Sequence, residues 1–142
     1  MHKELAVRFY LQTFFDSVRL KGMVALNRTY SLKRHKEFRY TYRAGRRVGG
    51  KNFSLVWARN RVNRLQVGFS VSKKVGNSVE RNRCKRRLKA AFDPWLSRVK
   101  PGQNLIFIGR REAIFAPFGQ LEQDMERALK KANLLKEEGT QQ

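Results

Sequence analysis

Almost everything a protein uses to do chemistry is scarce in this sequence. It has one cysteine in 142 residues, which excludes an internal disulfide and suits a reducing cytoplasm. Its two histidines are His2, near the start, and His35, in a basic arm. Acidic side chains number 11 against 32 Lys and Arg, and between residues 17 and 111 they are only Glu37, Glu80 and Asp93. A hydrolytic centre needs clustered carboxylates for metal ions, paired histidines, or a nucleophile beside a base. No HxH, CxxC, DxD or GxSxG pattern occurs, so neither catalytic residues nor metal ligands are expected on this chain. No run of 18 residues is apolar throughout, so no membrane-spanning helix is expected. Internal repeats, low-complexity tracts and linkers are also missing, and the length suits a single domain.

What is abundant is positive charge. The net charge is +21, and residues 17–111 alone carry +23 while residues 112–142 carry −2. With 41% hydrophobic residues, ten of them Phe, the chain is not a disordered basic tail and has the material for a packed core. A cationic field on a folded body implies a polyanionic partner. Nucleic acid fits better than a membrane surface, which would call for a strongly apolar helix face.

The field peaks over residues 72–89, SKKVGNSVERNRCKRRLK, where eight of 18 residues are Lys or Arg and Glu80 is the only acid. Asn77 followed three residues later by Glu80 is the signature of a capped helix start. Val79, Cys84, Leu88, Ala91, Phe92, Trp95 and Leu96 then recur mostly three or four residues apart, which predicts one apolar helical stripe. Asn82, Lys85, Arg86 and Lys89 fall opposite it, with Arg81, Arg83 and Arg87 on the flanks. An ordinary solvated helix mixes charge signs so that neighbours attract. This ridge repels itself, a condition that a bound polyanion relieves.

The rest of the chain reads as alternating short elements. Residues 26–36 predict an extended basic arm, with Ser31 or a neighbour opening a helix over residues 37–44 that Gly45 ends at its C′ position. Phe38 and Tyr42 share one face of that helix, as a core pair or as an aromatic platform. A brief strand follows at residues 46–49. Residues 51–59 and 65–72 each alternate apolar and polar, and the loop 60–64 between them predicts an antiparallel hairpin. Its second face carries small or polar side chains, either simply solvated or open to unstacked bases. Residues 103–110 predict a strand buried on both faces, and residues 111–117 a loop. A last helix over residues 118–135 has Phe118, Leu121, Met125, Leu129, Ala132 and Leu135 as its inner stripe, and residues 136–142 are expected to fray. The fold class is α+β, a single-domain α-β sandwich in the order α-β-β-β-α-β-α with a small mixed four-stranded sheet.

The run SKKVGNSVERNRCKRRLKAAF resembles the signature of the bacterial ribonuclease P protein component family, whose hallmark is an Arg-Asn-Arg helix. Here that triplet is Arg81, Asn82 and Arg83, and the spacing from Lys73 through Arg87 matches throughout. Cys84 stands where the family usually has Val or Ile, a small buried hydrophobe in either case. The resemblance covers about residues 23–135. It implies a fold like the second domain of ribosomal protein S5, with a left-handed β-α-β crossover where the pattern alone predicts a right-handed one.

It also implies a division of labour. The catalytic groups and Mg2+ would belong to a large RNA that removes the 5′ leader from precursor tRNA, with no small-molecule substrate and no membrane involved. Lys73, Lys74, Asn77, Arg81, Asn82, Arg83, Lys85, Arg86, Arg87 and Lys89 would face that catalytic RNA. Phe38, Tyr42, Ser54, Val56, Gln66, Gly68 and Ser70 would line a cleft for the leader. A ribosomal or other structural RNA-binding protein would share the charge, the fold and the missing catalytic residues, and a self-sufficient nuclease is the other class; the Arg-Asn-Arg run favours the ribonuclease P reading over both.

Residues 1–22 precede every matched motif and are close to neutral, as expected of a dispensable extension or of a start placed too far upstream. A chain beginning at Met23 is predicted to fold and to support precursor-tRNA cleavage as well as the full chain. A large drop in reconstituted cleavage would refute this.

Overall fold

A computed structural model describes residues 30–137; the expectations for residues 1–22 and for the end of the C-terminal tail lie outside the described residues. The elements are α1 (His35–Ala44), β1 (Arg46–Val48), β2 (Phe53–Arg59), β3 (Gln66–Ser70), α2 (Ser78–Phe92), β4 (Gln103–Gly109), the one-turn α3 (Glu112–Phe115) and α4 (Phe118–Lys131). Single 3-10 turns at Lys73–Val75 and Asp93–Trp95 flank α2. The α+β class and the mixed four-stranded sheet are as expected.

The sheet order is β1-β2-β4-β3, and this corrects the predicted hairpin. β2 and β3 run antiparallel but are not neighbours. β4 lies between them, antiparallel to β2 and parallel to β3. The continuous apolar run of β4 is the reason, since only a central strand buries both of its faces. Loop 60–64 stays open to admit it, with Asn60 Nδ2 donating to Arg64 O at 2.9 Å and Asn60 N donating to Gly102 O, just ahead of β4, at 3.0 Å.

One sheet face carries Phe53, Leu55, Val67, Leu105 and Phe107, packed under Cys84, Leu88, Ala91 and Phe92 of α2 and Leu121, Met125 and Leu129 of α4. Phe107 is its centre, with ring centroids 5.6 Å from Phe53, 5.4 Å from Phe69 and 5.2 Å from Phe92. The other face is covered along part of its length by α1, where Leu32, Val56 and Ile106 form a small second cluster joined by Phe38 and Ile108.

Several local expectations change. Val79 is 57% exposed, on the first turn of α2, and is not part of the inner stripe. Phe118 is likewise exposed at the start of α4, while Ala128 and Leu134 join the core. Ser31 forms a bridge with Val67 and does not cap α1, whose N-cap is Arg34. Gly45 has φ −81°, so no left-handed turn is involved. It is small because an added Cβ would lie 2.8 Å from Trp57 O. Residues 111–117 hold α3 where a loop was expected. Lys136 is fastened, its N donating to Arg98 O at 2.8 Å. At the end of α4, Asn133 takes the left-handed conformation (φ 56°) and Leu134 N reaches back to Leu129 O at 3.1 Å, the arrangement that satisfies terminal carbonyls.

Where α2 crosses β4 the approach is tight. A Cβ on Gly109 would stand 2.5 Å from Cys84 Sγ and 3.0 Å from Val71 Cγ2. Gly109→Ala is therefore predicted to destabilise the fold by about 1–3 kcal/mol. Cys84→Ala in the same chain should recover part of that loss, as read by denaturant melts of the double-mutant cycle; strict additivity would mean that the contact does not limit packing.

Candidate nucleic-acid interface

α2 begins where its sequence says it should. Asn77 Oδ1 accepts from Glu80 N at 2.9 Å and Asn77 N donates to Glu80 Oε1 at 3.0 Å, a complete capping box. The other oxygen of Glu80 meets Arg111 at 3.3 Å, and Arg111 also donates to Val75 O at 2.6 Å. The only acid of the ridge is thus tied to the helix start, and Arg111 clasps the 3-10 turn bearing Lys73 and Lys74 against it. Both lysines and Asn77 are exposed beside the positive end of the helix dipole, a favourable setting for phosphate.

The predicted ridge residues divide into two groups. Asn82, Arg86 and Lys89 are exposed on the outer surface of α2, with Arg81 and Lys85 partly so. Arg87 turns inward. Its guanidinium donates to Ala113 O at 2.7 Å, Ile114 O at 2.8 Å and Ala116 O, while Arg83 Nε donates to Ile114 O at 3.2 Å. These carbonyls end α3, whose single turn leaves them without helical partners. Sequence periodicity placed Arg87 on a flank but carried no sign of α3. Lys89 lies over the Phe69 ring at 5.8 Å, and its pKa is lowered first by burial and then by Lys85 and Arg86. Burial likewise pushes the Cys84 thiol up to about 11, which keeps it protonated and unreactive at neutral pH.

The second sheet face is less open than the pattern of small side chains suggested. Ser54, Val56, Gln66 and Gly68 are all buried. Strand register explains this, because Gln66 pairs with Asn104 under α1, where Asn104 Nδ2 donates to Thr41 Oγ1 at 3.2 Å. Phe38 packs on Gly68, so close that a Cβ there would lie 2.7 Å from the ring. Phe38 is therefore half core and half wall. Tyr42, one turn on, is 41% exposed.

The row Ser54–Ile108–Ser70 is accessible only at the partly exposed Ile108 and Ser70, with Arg47 beside Val56 in the next row. Arg110 closes one side, donating to Ser54 Oγ at 3.2 Å. Arg47, Ile108 and Arg110 were not singled out from the sequence. Only the strand register, with β4 at the centre, brings them onto the sheet face where Ile108 joins Phe38. Gln66 sits in the row at the other end, on the far side of α1. Residues 70–77 lead directly from this floor to the start of the cationic helix. Among the described residues there is no cluster of three His, Cys, Asp or Glu able to hold a metal ion, and no helix is long and apolar enough to cross a membrane.

A sequence profile of the family described as Ribonuclease P matches residues 26–133. The ribonuclease P protein component of Clostridium botulinum is 38% identical over 104 residues, covering 72% of this chain and 94% of that protein. That of Clostridioides difficile is 32% identical over 109 residues, covering 76% and 96%. Among solved structures, the Staphylococcus aureus RNase P protein superposes with a TM-score of 0.68 at 30% identity, over 75% of this chain and 98% of that one. The Thermotoga maritima RNase P protein shares the fold, with a TM-score of 0.63 at 19% identity over 71% and 96%.

The inward guanidinium is testable by stability alone. Arg87→Ala is predicted to cost about 1–3 kcal/mol, since it strands carbonyls that a charged donor satisfies. Asn82→Ala on the outer surface should stay within about 0.5 kcal/mol. Equal melting temperatures for the two variants would contradict the assignment.

Proposed function

This chain belongs to the ribonuclease P protein family, and from that premise we propose that α2 docks on a catalytic RNA while the open row beside α1 holds the 5′ leader of precursor tRNA. The work of the chain is RNA binding in tRNA processing, as the protein part of a ribonucleoprotein nuclease. The observation that carries the finer reading is continuity. Residues 70–77, with the exposed Lys73 and Lys74 among them, join the floor of the cleft to the start of α2, so one RNA strand can lie in the cleft while a second RNA lies along the helix.

Each half has its own chemistry. Lys73 and Lys74 on the 3-10 turn and Lys85, Arg86 and Lys89 on α2 present cations that neutralise phosphates and release counterions, and Asn82 with Arg81 adds forked donors. Arg83 and Arg87 act mainly by holding α3 against the helix, which keeps the ridge in shape. In the cleft, Tyr42 and the free edge of Phe38 offer π surfaces to unstacked bases, and Arg47 and Arg110 stand where a leader's phosphates would pass. Ser70 is small enough to let a strand approach the sheet.

The described residues do not fit a resident Mg2+, having no ligand cluster. The reading therefore places both the ion and the catalytic groups on the RNA. This chain positions the substrate and screens the repulsion between two polyanions.

Reconstitution with bacterial ribonuclease P RNA and a precursor tRNA tests the whole reading. Added protein is expected to restore cleavage at low Mg2+. Tyr42→Ala should cost roughly 1–3 kcal/mol of affinity for a precursor with a leader several nucleotides long, and nothing for mature tRNA. Lys74→Ala and Arg86→Ala should instead weaken binding to the catalytic RNA and shallow its log-log salt dependence by something under about one unit each. Failure to rescue cleavage would sink the function, and unchanged leader affinity in stably folded Tyr42→Ala would sink the cleft.

A further inference from the structure

A second hollow lies on the opposite flank of α1 from Phe38, between that helix and loop 60–64. Its volume is about 670 Å³, within the range of pockets that take small ligands. The cleft and this hollow do not share a wall residue from α1, because Tyr40 points away from Phe38 and Tyr42 at helical spacing.

The floor is polar and incomplete. Asn104 is 2% exposed and fully engaged, donating to Thr41 Oγ1 and accepting from Asn60 Nδ2 at 2.9 Å. Gln66 beside it is 6% exposed and lines the hollow, and its carboxamide, which makes no hydrogen bond to any described residue, keeps its polar end accessible there rather than sealed from water. A carboxamide fixed in a largely covered side chain and reachable from the hollow is placed to pair with a group that enters it. One wall is the Tyr40 ring, fixed by its hydroxyl donating to Arg59 O at 2.9 Å. The other is Val62, exposed in the loop. Around the rim, five Lys and Arg side chains, among them Arg39 and Arg61, face a single acid, Glu37.

We propose that this hollow is a second RNA site, separate from the leader cleft, that takes one unstacked nucleotide. The base would lie against Tyr40 with its polar edge on Gln66, and its phosphate would meet the rim. A free carboxamide presents an acceptor beside a donor, the complement of the N6 and N7 edge of adenine. A bare anion would have no use for the amide floor or the aromatic wall. The proposal rests on the RNA-binding reading above.

The test is titration of the isotope-labelled full chain with AMP, and separately with ribose 5-phosphate, followed through the side-chain amide resonances of Gln66 and Asn104. AMP is expected to shift the Gln66 carboxamide saturably, and Gln66→Leu to weaken that binding about three- to tenfold. Because Gln66 is buried, the melting temperature of this variant is measured alongside. Arg61→Glu, in the exposed loop, provides an independent variant that should weaken AMP binding as well. Tyr42→Ala should leave AMP binding at this site unchanged. Equal shifts with ribose 5-phosphate would reduce the hollow to an anion site and overturn the proposal, as would AMP shifts confined to the cleft. Absent AMP binding in a protein that still rescues ribozyme cleavage would sink this site alone, whereas failed rescue would sink the RNA reading itself.

Discussion

The structure depends on burying both faces of one strand. β4 sends Leu105 and Phe107 into the main core and Ile106 into the small cluster beneath α1. A strand of this kind cannot sit at an edge, where one side would meet water and its unpaired backbone would invite association. It takes the middle, and β2 and β3 must separate to receive it. The parallel pairing of β3 with β4 then requires a long crossover, and α2 is that crossover. The cationic helix is therefore anchored to the most buried part of the molecule. Its outer surface can repel itself without the helix moving, because its inner surface is fastened around Phe107.

Charge is sorted by the same scaffold. A chain with so few acids cannot neutralise its cations by ion pairing, and it uses backbone carbonyls as well. Arg87 and Arg83 satisfy the end of α3, and Arg111 bridges Glu80 and Val75. Such charge-assisted bonds are stronger than neutral ones, and they turn repulsion into local order. What remains outside, on the 3-10 turn and the outer surface of α2, is a pre-arranged set of cations that suits a phosphate-bearing partner. Rigidity is useful here. An RNA that meets a fixed ridge does not have to order flexible lysines one at a time.

α1 divides the second sheet face into two unequal places. Phe38 on Gly68 and Thr41 with Asn104 fasten the helix across the middle rows. One end keeps Ser70 and Ile108 beside Phe38, and the other keeps Gln66 and Tyr40 beside loop 60–64. A single short helix thus sets which small side chains can be reached and from which side.

Local pattern alone determined a good deal. The capping pair Asn77 and Glu80, the start of α2, the alternation of Phe53, Leu55 and Trp57, and the run of β4 are all properties of near neighbours in sequence. So is the imbalance of charge that points to a polyanion. What pattern could not supply was the partner of each strand. Alternation assigns a residue to a face but not the face to a neighbour, so β2 and β3 read as a hairpin, and Gln66 read as belonging with Ser70 when α1 lies between them. Arg47, Ile108 and Arg110 entered the cleft only through the register of β4. Arg87 looked like its neighbours on the ridge because its acceptors, the carbonyls of α3, are 26 or more residues away. Sequence settled which elements form and what kind of partner they suit. Tertiary structure decided which cations lie exposed and which hold the chain, because hydrogen-bond partners distant in sequence leave no periodic trace.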